Sequence, residues 1–489
     1  MGADSTFHTA PVWRAFRALF GASAAARGAT ITGMAARDSL PLPDASALAP
    51  DPGMPAMIGK YRIKARLGEG ATSEVFLAHD PFRGQDVAIK RVRRSLMEDA
   101  RETHFQQRFF EAEAALVGRL NHPNVVQILD AVDDPAAPYL VMEYVKGVTL
   151  RRYCRADALL PLATVIEVGF KCAMALGYVF KQGLIHRDVK PANLMVTLDG
   201  DQIDEVKITD FGSVFNLGAD HTQVFRVGSL AYMSPEQLDG DTLDCRADIY
   251  SLSAVLYHLL AGRPPFDATQ QAAIMNQIYN AAPPPLAGLR EGIAPQLQAL
   301  IEQGLAKNRD DRPASWDAFS QALSALVASQ QVPRGPLQDV LDSERFTLLR
   351  ALEFFTRFGD VALWEVVHRA KWQRHGFGAA LFRKGEEGNA FHIVTQGQVD
   401  VYRDGNKVAS LGAGTSVGEM AYLAPSPDLR VHTADLLVSK PATTLAFTPE
   451  TMDQLSMATR HLFDEAFIRV LVRRLHAAHE ALAHPRRIL

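Results

Sequence analysis

The sequence predicts a multidomain α+β protein, in which a first domain of sheet and helix is followed by a helix-flanked β-roll. From residue 61 to residue 90, short segments alternate apolar and polar residues as strands do, and longer segments with helical spacing follow. A Pro- and Gly-containing stretch at residues 331–336 then interrupts the pattern. Period-two strands return after residue 390, and 489 residues suffice for about two to four domains.

Composition and charge exclude several classes of function. A net charge of −4 and an isoelectric point near 6.4 provide no basic footprint for nucleic acid, so no nucleic-acid partner is expected. Three scattered cysteines, Cys154, Cys172 and Cys245, indicate free buried thiols in a reducing compartment rather than disulfides or a zinc site. Because no window holds 18 uninterrupted apolar residues, we expect no membrane span and a cytoplasmic protein.

The N-terminal part, residues 1–57, is rich in Ala, Gly and Pro and is predicted to be a disordered extension. Within it, Trp13 to Phe20 is compatible with a short basic amphipathic turn that superficially resembles a transit peptide. Met34, Met54 and Met57 all precede the first folded domain, so the sequence leaves the true start codon open.

The most informative string runs from His186 to Asn193. Asp188 can accept the proton of an attacking alcohol, and Asn193, five residues later, can ligate a metal ion. Lys190 can neutralise a transferring phosphoryl group. The spacing therefore indicates phosphoryl transfer onto a hydroxyl.

A glycine-rich stretch, Leu67 to Val75, lies upstream between two strand-like segments. Its glycines let backbone N–H groups approach phosphate oxygens. Next comes Val87 to Lys90, a buried-strand pattern that ends in one cation, and then a helical pattern from Phe105 to Leu120. On that helix Glu113 is the better candidate to pair with Lys90; the alternative is a solvated helix face.

Downstream, Asp210 ends a strand and is followed by Phe211 and Gly212, which suits a second Mg²⁺ ligand on a mobile segment. The stretches 228–236 and 248–252 and a later arginine, Arg312, follow in order. Through these motifs, residues 61–327 resemble the eukaryotic-like Ser/Thr protein kinases. The resemblance implies a bilobal protein kinase fold over residues 58–329.

The family resemblance implies a role for each matching residue. Asp188 would accept or orient the substrate proton, Lys190 would contact the γ-phosphate, and Asn193 and Asp210 would hold Mg²⁺. Lys90, paired with Glu113, would hold the α- and β-phosphates. The residues that the resemblance assigns to ATP, including the hinge after Met142, are Leu67, Gly68, Gly70, Val75, Ala88, Lys90, Met142, Glu143 and Val145.

The same resemblance implies protein substrates with Ser or Thr acceptors, because a Lys at the offset of Lys190 is typical of kinases with that specificity. It also implies that Glu236 pairs with Arg312 and that Asp248 braces the backbone of the catalytic loop. A catalytically dead scaffold is disfavoured, since all the catalytic positions are intact. The chain departs from the family pattern at two positions. Ser73 replaces the third glycine of the glycine-rich loop, which bears on nucleotide affinity. Leu230 stands where bacterial relatives often have Pro, which bears on substrate preference.

Regulation by an activation-segment phosphate is suggested by Arg187, which directly precedes the catalytic Asp. Between residues 212 and 228 the only hydroxyl side chains are Ser213 and Thr222, and Ser213 lies too near Asp210 to move freely. We therefore hypothesise that Thr222 is autophosphorylated. The alternative is a solvated loop Thr in a segment ordered by Arg226.

After a linker at residues 330–342, the sequence predicts a helix from Leu341 to Trp372 and then a small β-roll. A closing helix is predicted from Pro449 to Ala483. The predicted strands of the roll are Phe391–Val394, Gln398–Tyr402, Lys407–Ala409 and Thr444–Phe447.

Residues 343–489 resemble the cyclic-nucleotide-binding domain through Gly385-Glu386, residues 397–399 and, above all, residues 417–423 and 430–433. The resemblance implies cAMP or cGMP as an effector. Gly418 would open the turn of helix that faces the phosphate, Glu419 would bind the ribose 2′-OH, and Arg430, followed by Thr433, would pair with the phosphate.

Two features leave an alternative open for this domain. Arg430 lies eleven positions after Glu419, more than in many nucleotide-binding members, and His432 replaces a small residue. The alternative is a ligand-free interaction module, or a homodimer through the C-terminal domain. About forty residues follow the roll and read as one helix without a helix-turn-helix, which disfavours a cyclic-nucleotide-responsive transcription factor.

Overall fold

The computed structural model describes residues 54–70, 73–93, 107, 110–134, 137–199, 202–213, 215–216, 230–329 and 340–483. The predicted N-terminal extension up to residue 53, most of the linker and Thr222 lie outside the described residues.

The first lobe contains a six-stranded antiparallel sheet with the spatial order β1-β2-β3-β4-β6-β5. Alternation in the sequence buries Tyr61, Ile63 and Ala65 on one face, where Phe76 and Ile89 complete an apolar core. The alternating segments between residues 61 and 90 form strands, as predicted, and correspond to three of the six strands of the sheet. The six strands are β1 (Met57–Ile58), β2 (Tyr61–Glu69), β3 (Ser73–Asp80), β4 (Gln85–Val92), β5 (Ile128–Val132) and β6 (Tyr139–Glu143).

The helix predicted from Phe105 to Leu120 is described only in part. Residues 110–114 are helical, but residues 115–119 form turns, so the helix ends earlier than predicted. The backbone N–H groups of Leu116 and Val117 reach back only three residues, and Gly118 adopts a left-handed φ of +69°. These tight turns release the chain from the helix and direct it towards β5.

The second lobe is built around α1 (Leu162–Lys181), which is apolar on nearly every side. Gly169 lets the side chain of Leu256 approach closely, since a Cβ there would stand 3.0 Å from it. This helix is long and apolar enough to cross a membrane, but 94% of its apolar window is buried inside the protein. The other helices are α2 (Pro235–Asp239), α3 (Cys245–Ala261), α4 (Gln271–Asn280), α5 (Pro295–Gly304) and α6 (Trp316–Ala328).

Short strands connect the second lobe to the cleft between the lobes. The pairing order β10-β9-β7 forms one sheet and β11-β8 another. A bridge between Val125 and Ile208 links the end of this sheet to the first lobe. The strands are β7 (Val148–Thr149), β8 (Leu184–Ile185), β9 (Leu194–Asp199), β10 (Gln202–Ile208) and β11 (Phe215–Asn216).

The single helix predicted from Leu341 to Trp372 is wrong in detail. The segment forms α7 (Asp342–Ala351) and α8 (Asp360–Arg369), and Trp372 belongs to a strand. The break occurs because Phe354 and Phe355 turn inward to contact Phe463 of the last helix, with ring centroids 5.9 and 6.2 Å from it. Burial of aromatic surface thus outweighs continuation of the helix.

The β-roll predicted from period-two patterns is confirmed. Its central strands pair in the order β12-β17-β14-β15, with β13 on β17 and β16 on β14. The predicted strands Phe391–Val394 and Gln398–Tyr402 are one strand, which bulges around Gly397, where φ is +85°. The strands are β12 (Lys371–His375), β13 (Ala380–Phe382), β14 (Phe391–Arg403), β15 (Asn406–Leu411), β16 (Ser416–Val417) and β17 (Asp435–Phe447).

Three further helices complete the roll: α9 (Glu419–Tyr422), α10 (Pro449–Asp453) and α11 (Met457–Ala483). The closing helix predicted from Pro449 to Ala483 is therefore two helices. Ser456 lies at the break, where its backbone N–H donates to Glu365 and its hydroxyl accepts from the N–H of Thr459. A Ser at that position favours the start of a new helix.

The helices before the roll pack directly on α1 of the second lobe. Lys171 Nζ lies 2.9 Å from Asp342 Oδ2, and Ser343 donates a 2.5 Å hydrogen bond to Glu167. Phe346 stacks against Trp364, and both rings contact Phe170 of α1 at 6.1 Å. One continuous apolar core therefore joins the second lobe, α7, α8 and part of the roll.

Candidate active site

A half-buried lysine organises the cleft between the lobes. Lys90 lies on β4, which pairs with both β3 and β6 and is therefore held on two sides. Its Nζ contacts Glu113 Oε1 at 2.7 Å and Oε2 at 2.9 Å, so the predicted pairing is present. Nζ also lies 2.7 Å from Asp210 Oδ1, a contact that sequence reasoning did not predict.

The protonation of this group follows from burial and from charge. Burial disfavours the Lys90 cation, but the Asp210 and Glu113 carboxylates outweigh that effect and raise the pKa of Lys90 above its ordinary value. Burial raises the pKa of Glu113, against the opposing effect of Lys90. Lys90 is thus a permanent cation in the cleft, as contact with phosphate oxygens requires.

The catalytic-loop residues form a second connected group. Lys190 Nζ lies 2.7 Å from Asp188 Oδ2. Asn193 Nδ2 donates to the Asp188 carbonyl at 2.9 Å and to Asp188 Oδ2 at 3.0 Å. The short 3-10 helix Pro191–Asn193 produces this arrangement by bringing Asn193 back over Asp188. The structure therefore brings together the three residues that the sequence predicted to act together.

The backbone of the catalytic loop is braced by Asp248, as predicted. Its carboxylate accepts hydrogen bonds from the N–H groups of His186 at 2.7 Å and Arg187 at 2.8 Å. Arg187 adopts a φ of +63°, which is strained for a residue with a Cβ, and Gln237 donates to its carbonyl. Sequence reasoning missed Gln237, because only the folded chain brings α2 to this loop.

The predicted pair of Glu236 and Arg312 is also present. Arg312 donates to both carboxylate oxygens, at 2.6 and 2.9 Å, and its guanidinium lies over the ring of Tyr250. Both side chains are buried. The pair ties α2, beside the catalytic loop, to the segment before α6.

A cavity of about 760 Å³ occupies the cleft. All nine residues that the sequence assigned to ATP line it, namely Leu67, Gly68, Gly70, Val75, Ala88, Lys90, Met142, Glu143 and Val145. Sequence reasoning missed apolar lining residues on other elements, such as Val126, Ile128 and Met195. Their apolar, strand-like patterns read as ordinary core positions, so the sequence carried no signal that they face a ligand.

The glycine-rich hairpin covers one side of this cavity. Gly68 pairs with Val75 in the register of β2 and β3, and the N–H of Gly70 donates to the carbonyl of Ser73 at 2.8 Å. Ser73 is half-buried at the base of the hairpin. The tip, residues 71–72, lies outside the described residues.

The predicted metal ligands Asn193 and Asp210 line the same cavity. Asp210 adopts a φ of +66°, a strained backbone conformation of the kind that clusters at functional sites. Carboxylate and carboxamide oxygens are the donors that Mg²⁺ prefers, together with phosphate oxygens. The donor set therefore fits Mg²⁺ held jointly with a nucleotide.

The predicted cyclic-nucleotide residues occupy two different environments. Gly418 takes a φ of +82° at the start of α9, and Glu419 is buried just after it. One Glu419 oxygen contacts Arg474 of α11, whereas Oε2 has no hydrogen-bond partner among the described residues. Burial raises the pKa of Glu419, against the opposing effect of Arg474. A buried acceptor without a donor is costly unless another group supplies one.

Arg430 and Thr433, by contrast, are exposed. The Arg430 Nε donates to the Ala424 carbonyl at 3.2 Å. His432, between them, is buried and stacks on Phe382 with ring centroids 4.0 Å apart, and a Cβ on Gly388 would stand 3.2 Å from its ring. Of the residues assigned to the cyclic nucleotide, Glu419 is thus buried, whereas Arg430 and Thr433 are exposed to solvent.

Comparisons with known proteins agree with both domains. Residues 61–324 match the protein kinase domain family, and residues 374–459 match the cyclic nucleotide-binding domain family. The chain is 37% identical over 303 residues to the serine/threonine-protein kinase PknB of Mycobacterium leprae, covering 60% of this chain and 47% of that protein. It is 38% identical over 298 residues to PknB of Mycobacterium tuberculosis strain H37Rv, covering 59% and 46%.

The chain therefore spans about half the length of the curated relatives it matches. A crystal structure of the Mycobacterium tuberculosis PknI kinase domain also aligns, with 29% identity and a TM-score of 0.43, covering 57% of this chain and 99% of that one.

The bilobal fold and the motif-bearing cleft define a protein kinase. Since the family match spans more than half of the chain, the chain belongs to the protein kinase family. Among its relatives it groups with the serine/threonine-protein kinases, and it carries a C-terminal domain of the cyclic nucleotide-binding family.

Proposed function

We propose that the chain transfers phosphate from ATP·Mg²⁺ to Ser and Thr residues of proteins, including itself, and that cAMP or cGMP regulates it through the C-terminal domain. The observation that carries the kinase proposal is the position of Lys90, held by Glu113 and Asp210 at 2.7 Å in the cavity that Asn193 also lines. A charge held in this way positions a nucleotide without further rearrangement.

The chemical roles follow from the geometry. Asp188 would accept the proton of the substrate hydroxyl, and Lys190, 2.7 Å away, would balance negative charge on the transferring group. Lys90 would hold the α- and β-phosphates. Asn193 and Asp210 would hold Mg²⁺, which when bound neutralises charge on the phosphates. Asp248 keeps the loop in its strained conformation and so positions Asp188.

The test of the kinase function is transfer of labelled phosphate from ATP·Mg²⁺ to an acidic protein, a basic protein and the chain itself. Phosphoamino acid analysis should show phosphoserine or phosphothreonine, and mapping should show whether Thr222 is modified. A purified chain that transfers no phosphate to any acceptor, itself included, would contradict the proposal.

Regulation by a cyclic nucleotide is supported by the unpaired Oε2 of buried Glu419, because a ribose hydroxyl is a donor of the kind that this oxygen lacks. Calorimetry with cAMP and with cGMP tests it directly. The proposal expects saturable binding that weakens in Glu419→Gln and Arg430→Ala, together with a change in kinase rate. Absence of both binding and a change in kinase rate would contradict the proposed regulation by a cyclic nucleotide.

The second candidate is an interaction or dimerisation module. It is favoured by His432, which occupies space beside Gly388, and by an exposed apolar stripe on α11. The stripe consists of Ile468, Leu471, Val472 and Leu475, at the spacing of one helix face. Light scattering of the chain against the variant Leu471→Glu/Leu475→Glu distinguishes a homodimer from a monomer.

We also propose that the protein is located in the cytoplasm. Cell fractionation tests this location.

A further inference from the structure

Two consecutive arginines lie at the edge of the nucleotide cleft. Arg151 and Arg152 belong to a short 3-10 helix, Leu150–Tyr153, which directly follows β7. Leu150 is fully buried and fixes the start of this helix. Arg152 lines the same cavity as Ala192 and Asn193 of the catalytic loop. A long, flexible arginine at this place can reach a polypeptide that presents its hydroxyl to Asp188.

Arg151, the neighbour of Arg152, lies near Tyr232, whose hydroxyl lies 2.8 Å from His258 Nδ1. Burial raises the pKa of Tyr232, and the charge of Arg151 opposes this rise, while Asp267 adds to it. Arg151 is thus within electrostatic range of the short helix, residues 230–232, that follows the activation segment in the chain.

Neither arginine is neutralised by the described residues around it. Both side chains are exposed, and neither forms a salt bridge with any described residue. By contrast, the positive charge of Arg155, one turn later, is neutralised. Its guanidinium donates to both oxygens of Asp157 at 2.9 and 3.0 Å.

The carboxylates that line the cavity are already engaged by cations of the chain. Glu143 lies 2.6 Å from Lys207, and Asp188 lies 2.7 Å from Lys190. Ala192, in the middle of the catalytic loop, offers no carboxylate. Within the described part of the chain, the mouth of the cleft therefore carries positive charge that a substrate can complement.

We infer that Arg151 and Arg152 select protein substrates with Asp or Glu side chains within a few residues of the phosphoacceptor. The inference rests on the kinase function proposed above. A guanidinium binds a carboxylate through two parallel hydrogen bonds, and a pair of adjacent guanidinium groups suits a run of acidic residues. Basic substrates are repelled by the same two charges.

The experiment compares the full chain on three peptides that share one central Thr and carry three Asp, three Ala or three Arg beside it. The acidic peptide should have a kcat/KM roughly tenfold above that of the basic peptide at low salt, and 0.5 M NaCl should reduce this ratio. The variant Arg151→Glu/Arg152→Glu should reverse the order. The change should appear in the KM for peptide and not in the KM for ATP, which separates substrate recognition from nucleotide binding.

Arg155→Glu is the control, since it makes the same type of charge reversal one turn away and should leave the preference unchanged. Arg151→Gln/Arg152→Gln, which should remove the preference without reversing it, replaces the Glu variant if that variant fails to fold. Equal kcat/KM on all three peptides, or an effect on the KM for ATP alone, would overturn the inference. Failure of the wild-type chain to phosphorylate any peptide or itself would instead overturn the kinase function.

Discussion

Arg474 of the last helix contacts the carboxylate of Glu419, the buried acid that opens α9, across 55 positions of sequence. The same guanidinium donates to the Ser416 carbonyl at 2.7 Å. One side chain therefore fastens α11 to the turn that the family resemblance assigns to the cyclic phosphate. Any ligand that engages Glu419 must share it with Arg474 or displace it, so occupancy of this turn and the position of α11 are coupled.

Replacement of Arg474 by Ala should destabilise the C-terminal domain, because it leaves the Glu419 carboxylate buried without a cation. Since Arg474 is 39% exposed, we expect a modest loss of about 1–2 kcal/mol in the free energy of unfolding. Thermal denaturation measures it. Arg473→Ala, which removes a more exposed pair with Glu353, is the control; an equal loss in both variants would contradict a special role for Arg474.

Replacement of Asp188 by Asn should reduce kcat for phosphate transfer by about 10²–10⁴-fold, because the amide cannot accept the hydroxyl proton. The fold should be retained, since an Asn fits the same space between Lys190 and Asn193. Labelled phosphate transfer measures the rate, and Asp241→Asn, at an exposed position, is the control. Wild-type activity in Asp188→Asn would refute the assigned role.

Replacement of Lys171 by Met should destabilise the contact between α1 and α7. Lys171 is buried between Asp342 and Glu167, at 2.9 and 3.9 Å. Its removal leaves the buried Glu167 without a cation, while Asp342 keeps Arg345 at 3.3 Å. Loss of one partner from such a buried group costs about 3–5 kcal/mol in the free energy of unfolding. Denaturant titration measures it, and Arg155→Ala, from an exposed pair, should leave stability nearly unchanged.

The roll should lose stability in acid through His392. Burial lowers the pKa of His392 to about 4, with the nearby His375 and His432 acting in the same direction. The unfolded chain therefore binds this proton at a higher pH than the folded chain, and stability falls as the pH drops from about 6.5 towards 4, by about 3 kcal/mol in all. Denaturation of the chain and of His392→Gln between pH 7.5 and 5 measures the effect, and the variant should show the shallower slope. Parallel slopes would argue against His392 as the titrating group.

Much of the fold and the cleft follows from local patterns. Alternation predicted three strands of the first lobe and the main strands of the roll. The order of the motifs predicted that Lys90, Asp188 and Asp210 belong to one catalytic site, and the structure places Lys90 beside Asp210. Helix ends were the weakest part of the prediction. The breaks near residues 353 and 455 depend on buried Phe side chains and on a capping Ser, whose partners lie far away in sequence.

By itself the sequence determined the class of protein, the residues of the catalytic loop and the identity of the C-terminal domain, because those signals are carried by short strings with fixed spacing. Only the tertiary structure decided which distant groups meet. It placed Asp210 on Lys90 across 120 positions, Asp342 on Lys171 across 171, and Arg474 on Glu419. Periodicity specifies which face of an element is buried, whereas the packing of whole elements determines what that face contacts.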